Sequence, residues 1–216
     1  MHWLSIENIC CTLFGYPLSY VELAGTATGL ASVWLAARIN IWTWPIGIIN
    51  ALTFFVLFYQ VQLYSDMVLQ LYFLATTIYG WYYWSRRDAT DNLGKIIRRL
   101  ATRTRLYLAV AVVLATVALG TVTAQVHEWW PSPFPEPAAY PYPNAFTTTL
   151  SVTAMLLMAR RRLECWALWC TVNVVSVVLY LVKGILLTAL LYLAFLGISL
   201  YGWFDWQRKR QHESRS

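Results

Sequence analysis

Residues 79–84 read YGWYYW, and residues 201–206 read YGWFDW. Each hexapeptide closes an apolar run, and the two lie 122 positions apart. The same shift pairs Phe73 with Phe195 and Leu74 with Leu196. Upstream, Asn50 and Asn173 fall 123 positions apart, each preceded by tryptophans: Trp42 and Trp44 in one case, Trp166 and Trp169 in the other. The chain therefore reads as two copies of one unit. What the unit is built for depends on its solvent.

Of the 216 residues, 59% are hydrophobic and only 12% are charged. An ordinary soluble domain carries about a quarter charged residues. The charges cluster in short patches between apolar runs of about 20 residues, the length an α-helix needs to cross the hydrocarbon core. The reading is an all-α integral membrane protein with seven spans, over 20–38, 41–60, 63–84, 106–126, 143–159, 163–182 and 185–206. With the C-terminus cytoplasmic, fifteen of the sixteen Lys and Arg fall on the inner side, among them Arg38, Arg86, Arg99, Arg160 and Arg210, and only Lys183 falls outside. So one-sided a distribution predicts N-terminus out and C-terminus in. It also accounts for the pI near 9.2 without nucleic acid, because the basic residues sit where topology is set.

The predicted organisation has an external segment at 1–19 and a first three-helix repeat at 20–84. A basic cytoplasmic loop follows at 85–105, then a linker span at 106–126 and a Pro-rich external loop at 127–142. A second three-helix repeat occupies 143–206, and a basic tail 207–216. Three is odd, so two directly fused copies would be inverted; the extra span restores a common orientation. The repeats are then parallel, related by an axis along the membrane normal, in a 3+1+3 arrangement. The first 17 residues hold no Lys or Arg, so they lack the basic start of a secretory signal and read as an external interfacial segment. In the loop after the fourth span, Trp129 and Trp130 read as interfacial anchors, with a lid as the other role. Within the basic loop, LGKIIRRL (93–100) reads as a short amphipathic helix on the anionic leaflet.

Parallel repeats place a substrate path between the two units, with its site near the midplane. Asn50 and Asn173 both fall near the middle of their spans. An amide at that depth either faces a cavity or bonds helices together, and the pairing across the repeats favours a substrate role. Gln70 is a third midplane candidate, on a face with Asp66, Phe73 and Thr77; its counterpart is Tyr192, so the site is predicted to be asymmetric. Trp166 and Trp169 lie about 6–10 Å inward of Asn173. Their indoles either stack on a flat cationic ring or belong to the inner aromatic belt. Trp42 and Trp44 are the matching residues of the first unit, candidates for a gate or a supporting layer along with Asp66, Thr77 and Tyr192.

Several chemistries lack their residues. No carboxylate lies at the midplane, which argues against ion coupling. No phosphate-binding GxxxxGK[ST] loop is present. His2, His127 and His212 all lie outside the spans, which argues against haem or quinone chemistry. The four cysteines show no CxxC spacing with a partner His, so no metal site is expected, and those in the spans read as apolar fillers. The expectation is neither enzyme nor cofactor protein, with no catalytic residue to assign, but passive selective passage.

The stretch WPIGIINALTFFVLFYQVQLYSDMVLQLYFLATTIYGWYYW (44–84) resembles the PnuC family of bacterial vitamin transporters. The stretch LSVTAMLLMARRRLECWALWCTVNVVSVVLY (150–180), with its WxxWxxxN motif, resembles it too. The likeness runs through nearly all the chain from about residue 20. It implies a seven-helix fold arranged like the SWEET sugar carriers, a homotrimer in the bacterial inner membrane, and uptake of nicotinamide riboside by facilitated diffusion, with trapping by a cytosolic kinase. It implies that Trp166, Trp169 and Asn173 hold the substrate, with Asn50 and Gln70 from the other half. Nicotinamide riboside offers a flat cationic pyridinium to the indoles and a carboxamide and ribose hydroxyls to the amides. A same-fold carrier of thiamine or riboflavin, and a non-transporting receptor or scaffold, are the alternatives.

Overall fold

The computed structural model describes residues 5, 7–13, 15–60, 64–90, 97–130 and 137–213. Among the described residues there are seven long helices: α1 (Tyr20–Ala37), α2 (Thr43–Gln60), α3 (Tyr64–Thr90), α4 (Thr102–Trp129), α5 (Pro141–Ala159), α6 (Glu164–Val182) and α7 (Leu186–Glu213). Among the described residues, four stretches, Thr43–Gln60, Thr102–Trp129, Glu164–Val182 and Leu186–His212, are long and apolar enough to cross a membrane by length and composition. Large apolar side chains face outward along the helices, such as Val113, Leu114 and Val117 on α4 and Phe204 on α7. Water would penalise so much exposed apolar surface, whereas lipid does not.

Ahead of α1, the chain forms an antiparallel hairpin of β1 (Ile9–Leu13) and β2 (Tyr16–Ser19). It feeds α1 through a capping box: Ser19 Oγ accepts from Glu22 N at 3.2 Å, and Ser19 N donates to Glu22 Oε2 at 2.8 Å. The Tyr16 hydroxyl donates to Glu22 Oε1 at 2.7 Å, and that bond pushes the phenol above its ordinary pKa.

Helix contacts close a circuit. Helix α1 packs on α2, α2 on α3, α3 on α5, α5 on α6, α6 on α7, and α7 returns to α1. Helix α4 stands outside this six-membered ring, against α5. Two short turns build the ring's Arg-bearing end. In the first, Ile39 has φ 57°, Ile39 N bonds Ala36 O at 3.0 Å, and Asn40 N bonds Leu35 O at 2.9 Å. In the second, Arg161 has φ 51°, Arg161 N bonds Met158 O at 2.9 Å, and Arg162 N bonds Leu157 O at 2.8 Å. These are one helix-ending motif made twice, 122 residues apart.

The amphipathic helix expected at 93–100 is not formed where the structure describes it. Residues 97–100 run without helix, while 93–96 lie outside the described residues. Arg98 N donates to Arg161 O at 3.1 Å, and Leu163 N donates to Arg98 O at 3.0 Å, a short parallel pairing with the α5–α6 turn. The pairing satisfies the backbone and buries Ile97, a combination that a helix lying on the leaflet would forgo.

Four tryptophans fill the Arg-bearing end of the ring. Trp44, Trp84, Trp166 and Trp206 are all at most 1% exposed. Trp44 meets Trp84 edge-on at 5.1 Å, and Trp166 meets Trp206 edge-on at 5.5 Å. Trp84 and Trp206 face each other across the ring at 6.4 Å. Glycine makes the room. A Cβ on Gly80 would lie 2.3 Å from the Trp44 ring, and one on Gly202 would lie 2.7 Å from the Trp166 ring. Gly80→Ala and Gly202→Ala should therefore each cost about 1–3 kcal/mol despite alanine's better helix propensity. Gly197→Ala, where nothing stands within 4 Å, should be neutral or mildly stabilising. Thermal unfolding of the purified variants checks the contrast; three equal melting temperatures would contradict it.

Candidate functional site

The register of the two halves follows from these contacts. Trp44 and Trp166 do the same packing, as do Gly80 and Gly202, and Trp84 and Trp206. Trp84 Nε1 donates to Ala159 O at 3.0 Å, and Trp206 Nε1 donates to Ala37 O at 3.0 Å. Every one of these pairs is 122 apart. In this register Trp169 corresponds to Gly47, Asn173 to Ala51, and Asn50 to Val172. The two asparagines share a depth to within one residue but not a direction, since one position along a helix turns a side chain by about 100°.

Their partners show the difference. Asn50 Nδ2 donates to Gly25 O on α1 at 2.7 Å, with Thr28 Oγ1 at 3.4 Å. Asn173 is 3% exposed and donates through Nδ2 to Ser199 Oγ on α7 at 3.0 Å. Trp166 also faces α7, through Gly202 and Trp206. Trp169 sits about 60° around α6 from Trp166 and packs, half-buried, against both the buried tryptophan cluster and a second cluster formed by Val112, Leu150 and Val172. Within the WxxWxxxN motif, Trp166 and Asn173 turn to α7, while Trp169, on the same broad face, also reaches towards α4 and α5.

The remaining candidates are spread along the ring. Gln70 on α3 is half-buried and makes no hydrogen bond with a described residue. Thr77 is 2% exposed and lies over Gly47 together with Ser32. Tyr192 stacks on Tyr180 at 5.4 Å and meets Phe195 edge-on at 6.2 Å. Trp42 is 63% exposed and sits at the α1–α2 turn, away from the ring interior. The Asp66 side chain lies outside what the structure describes.

Two residues that sequence reasoning passed over belong with these. Ser199, 1% exposed, sets the Asn173 amide. Its counterpart is Thr77, so a hydroxyl at the same register in both copies was the available signal. Phe195 comes from the other half to the Asn50 region: its ring and the Asn50 amide both lie within 4 Å of the point where a Gly29 Cβ would stand. The indole N–H groups of Trp44 and Trp166 are buried without a partner among the described residues, an orphan pair again 122 apart. No group of three or more His, Cys, Asp or Glu side chains that could hold a metal ion occurs among the described residues.

The model of the nicotinamide mononucleotide transporter family matches residues 19–208. This chain belongs to that family. It is 34% identical to the nicotinamide riboside transporter PnuC of Escherichia coli K12, over 97% of both chains. It is 28% identical to the riboflavin/roseoflavin transporter RibM of Streptomyces davaonensis, over 100% of this chain and 96% of the relative. The fold is also that of the crystal structure of the vitamin B3 transporter PnuC, at a TM-score of 0.69 and 23% identity, with 90% of this chain and 83% of the other covered. Members of the family are bacterial membrane transporters, and the apolar helices place this chain in the inner membrane as a multi-pass protein.

Proposed function

We propose that this protein carries nicotinamide riboside across the bacterial inner membrane. The observation that carries the reading is its end-to-end match with a nicotinamide riboside transporter, with no long segment left over on either side. The protein acts as a carrier, with no reaction of its own.

The finer reading has the two parallel three-helix units, α1–α3 and α5–α7, as the halves of a translocation ring, with α4 as linker. The repeated turns and the tryptophan–glycine contacts support it. The Arg-bearing end faces the cytoplasm and the hairpin faces outward. Asn173, Trp169, Gln70 and Asn50 contact the substrate, with Phe195 and Tyr192 supplying further aromatic surface. Trp166 forms the floor beneath Asn173, about 10 Å away along α6. The pyridinium is cationic, and aromatic faces hold a cation without a carboxylate. The amides pair with the carboxamide and the ribose hydroxyls.

Passage is uncoupled, the assembly is a homotrimer, and phosphorylation by a cytosolic kinase traps the product. Proteoliposomes test the uncoupling. Equilibrative uptake of labelled nicotinamide riboside is expected to continue when proton and sodium gradients are collapsed; loss of uptake would mean an ion-driven carrier. One observation favours a second reading: the riboflavin transporter relative also spans the whole chain. Thermal-shift titration with nicotinamide riboside, riboflavin and thiamine decides between them. Stabilisation by riboflavin or thiamine alone would overturn the proposal.

A further inference from the structure

A cavity of about 450 Å³ opens at the Arg-bearing end, between residues 99–104 and the α5–α6 turn. Arg99, Arg160 and Arg162 line it, along with Thr104 and Leu157, and no carboxylate does. Its walls are pinned together. The Arg98 pairing with Arg161 and Leu163 joins the two segments through backbone bonds. Glu164 clamps the same junction, accepting from Leu100 N at 3.1 Å and pairing with Arg105 at 3.1 Å. That carboxylate is engaged by the frame through Oε1 and does not line the cavity.

The three arginines keep donors available. Arg162 Nη1 bonds Arg99 O at 3.3 Å, and Arg160 Nε bonds the Tyr79 hydroxyl at 3.4 Å, each using one of five N–H groups. The Arg99 side chain makes no hydrogen bond or ion pair with a described residue. The N-terminus of α4 opens into the same cavity. Its cap residue, Ala101, makes no side-chain cap bond, and its first turn carries no acidic residue, so first-turn N–H groups add donors beside the arginines. Three like charges held around one space repel one another until an anion enters.

We propose that this cavity binds a phosphate group. Guanidinium forks match phosphate oxygens in pairs, and a helix N-terminus adds backbone donors and dipole. The phosphate has two possible sources. One is the headgroup of an anionic phospholipid, whose chains would run beside Leu157 and the apolar outer face of α4. The other is a soluble phosphate ester reaching the site from the aqueous side. The inference does not depend on which vitamin the ring carries.

The test uses the full chain in nanodiscs of phosphatidylcholine, read by thermal unfolding. Inorganic phosphate is titrated into one sample, and phosphatidylglycerol is introduced into the bilayer of another. Stabilisation by inorganic phosphate assigns the soluble source; stabilisation by phosphatidylglycerol alone assigns the lipid. In either case Arg99→Gln should weaken the response several-fold, and the triple variant Arg99→Gln/Arg160→Gln/Arg162→Gln should weaken it at least about tenfold. Arg99→Gln removes no side-chain hydrogen bond or ion pair with a described residue, so it remains informative if the triple variant misfolds. A control, Arg86→Gln/Arg208→Gln, should respond as the parent does. The proposal is overturned if neither phosphate source stabilises the parent, or if Arg99→Gln and the control respond alike.

Discussion

Trp166→Ala is expected to cost the substrate-free protein about 3–5 kcal/mol and to lower its melting temperature by about 10 °C or more. The indole it removes is fully buried, lies flat over Gly202, and braces Trp206 edge-on. Losing it opens a cavity at the point where the ring crosses from one half to the other, and Trp206 loses the neighbour that aims its N–H at Ala37. Trp44→Ala should behave alike, because it does the same work in the other half. Trp169→Ala is the contrast. Trp169 is only half-buried, so its loss should cost about 1–2 kcal/mol while abolishing most of the stabilisation that nicotinamide riboside confers. Thermal unfolding with and without ligand separates the two effects. A Trp166→Ala protein as stable as the parent but unable to bind would make Trp166 a direct substrate contact, and normal binding by Trp169→Ala would remove Trp169 from the site.

The second large effect concerns the amide. Asn173→Ala should raise the dissociation constant for nicotinamide riboside about 10- to 100-fold, equivalent to about 1.4–2.7 kcal/mol, while the protein remains folded. Ser199→Ala tests how the amide is aimed. Asn173 Nδ2 donates to Ser199 Oγ, and Oδ1 makes no hydrogen bond with a described residue. Without the hydroxyl the amide can flip, and binding should weaken about 3- to 10-fold with little change in melting temperature. Asn50→Ala has a different signature. Its bond to Gly25 O joins α1 to α2, so this variant should lose about 1 kcal/mol of stability as well as affinity. Isothermal titration and thermal unfolding on the three variants give the comparison. If Asn173→Ala binds normally and melts early, its amide is a helix tie and the site lies elsewhere.

Most of the helical frame was legible because the solvent leaves a coarse signature. Apolar runs near twenty residues, cut by basic patches, read as helices, and the seven runs match α1–α7 to within a few residues at most ends; α3 and α7 run on into their basic flanks. The repeated YGWxxW was legible because tryptophan and glycine are demanding residues, and each recurrence marks a contact that only that pair makes. What sequence could not supply was register inside the units. Matching the tryptophans in order pairs Trp169 with Trp44, whereas the register set by the Trp44–Gly80 and Trp166–Gly202 contacts pairs it with Gly47. The error is small in sequence and large in space, because it sends Asn50 to α1 and Asn173 to α7. LGKIIRRL misled for a related reason. Its charge pattern suits a helix on a leaflet, but burial of the single residue Ile97 beside a turn with free backbone groups suits an extended pairing as well.

The α1–α7 seam has a consequence for biosynthesis. Trp206 bonds the carbonyls of Ala36 and Ala37, about 170 residues earlier in the chain. At about 5–20 residues per second, roughly ten to thirty seconds of translation separate those carbonyls from their donor. The first three helices can meet one another in that interval, since all their mutual contacts are local. They cannot meet α7 until the last helix has entered the bilayer. The ring therefore closes as the final step of synthesis, when α7 packs on α6 and α1. A premature stop ahead of residue 206 leaves the first half built and the seam unmade, a fault of assembly in a chain whose amides are all present.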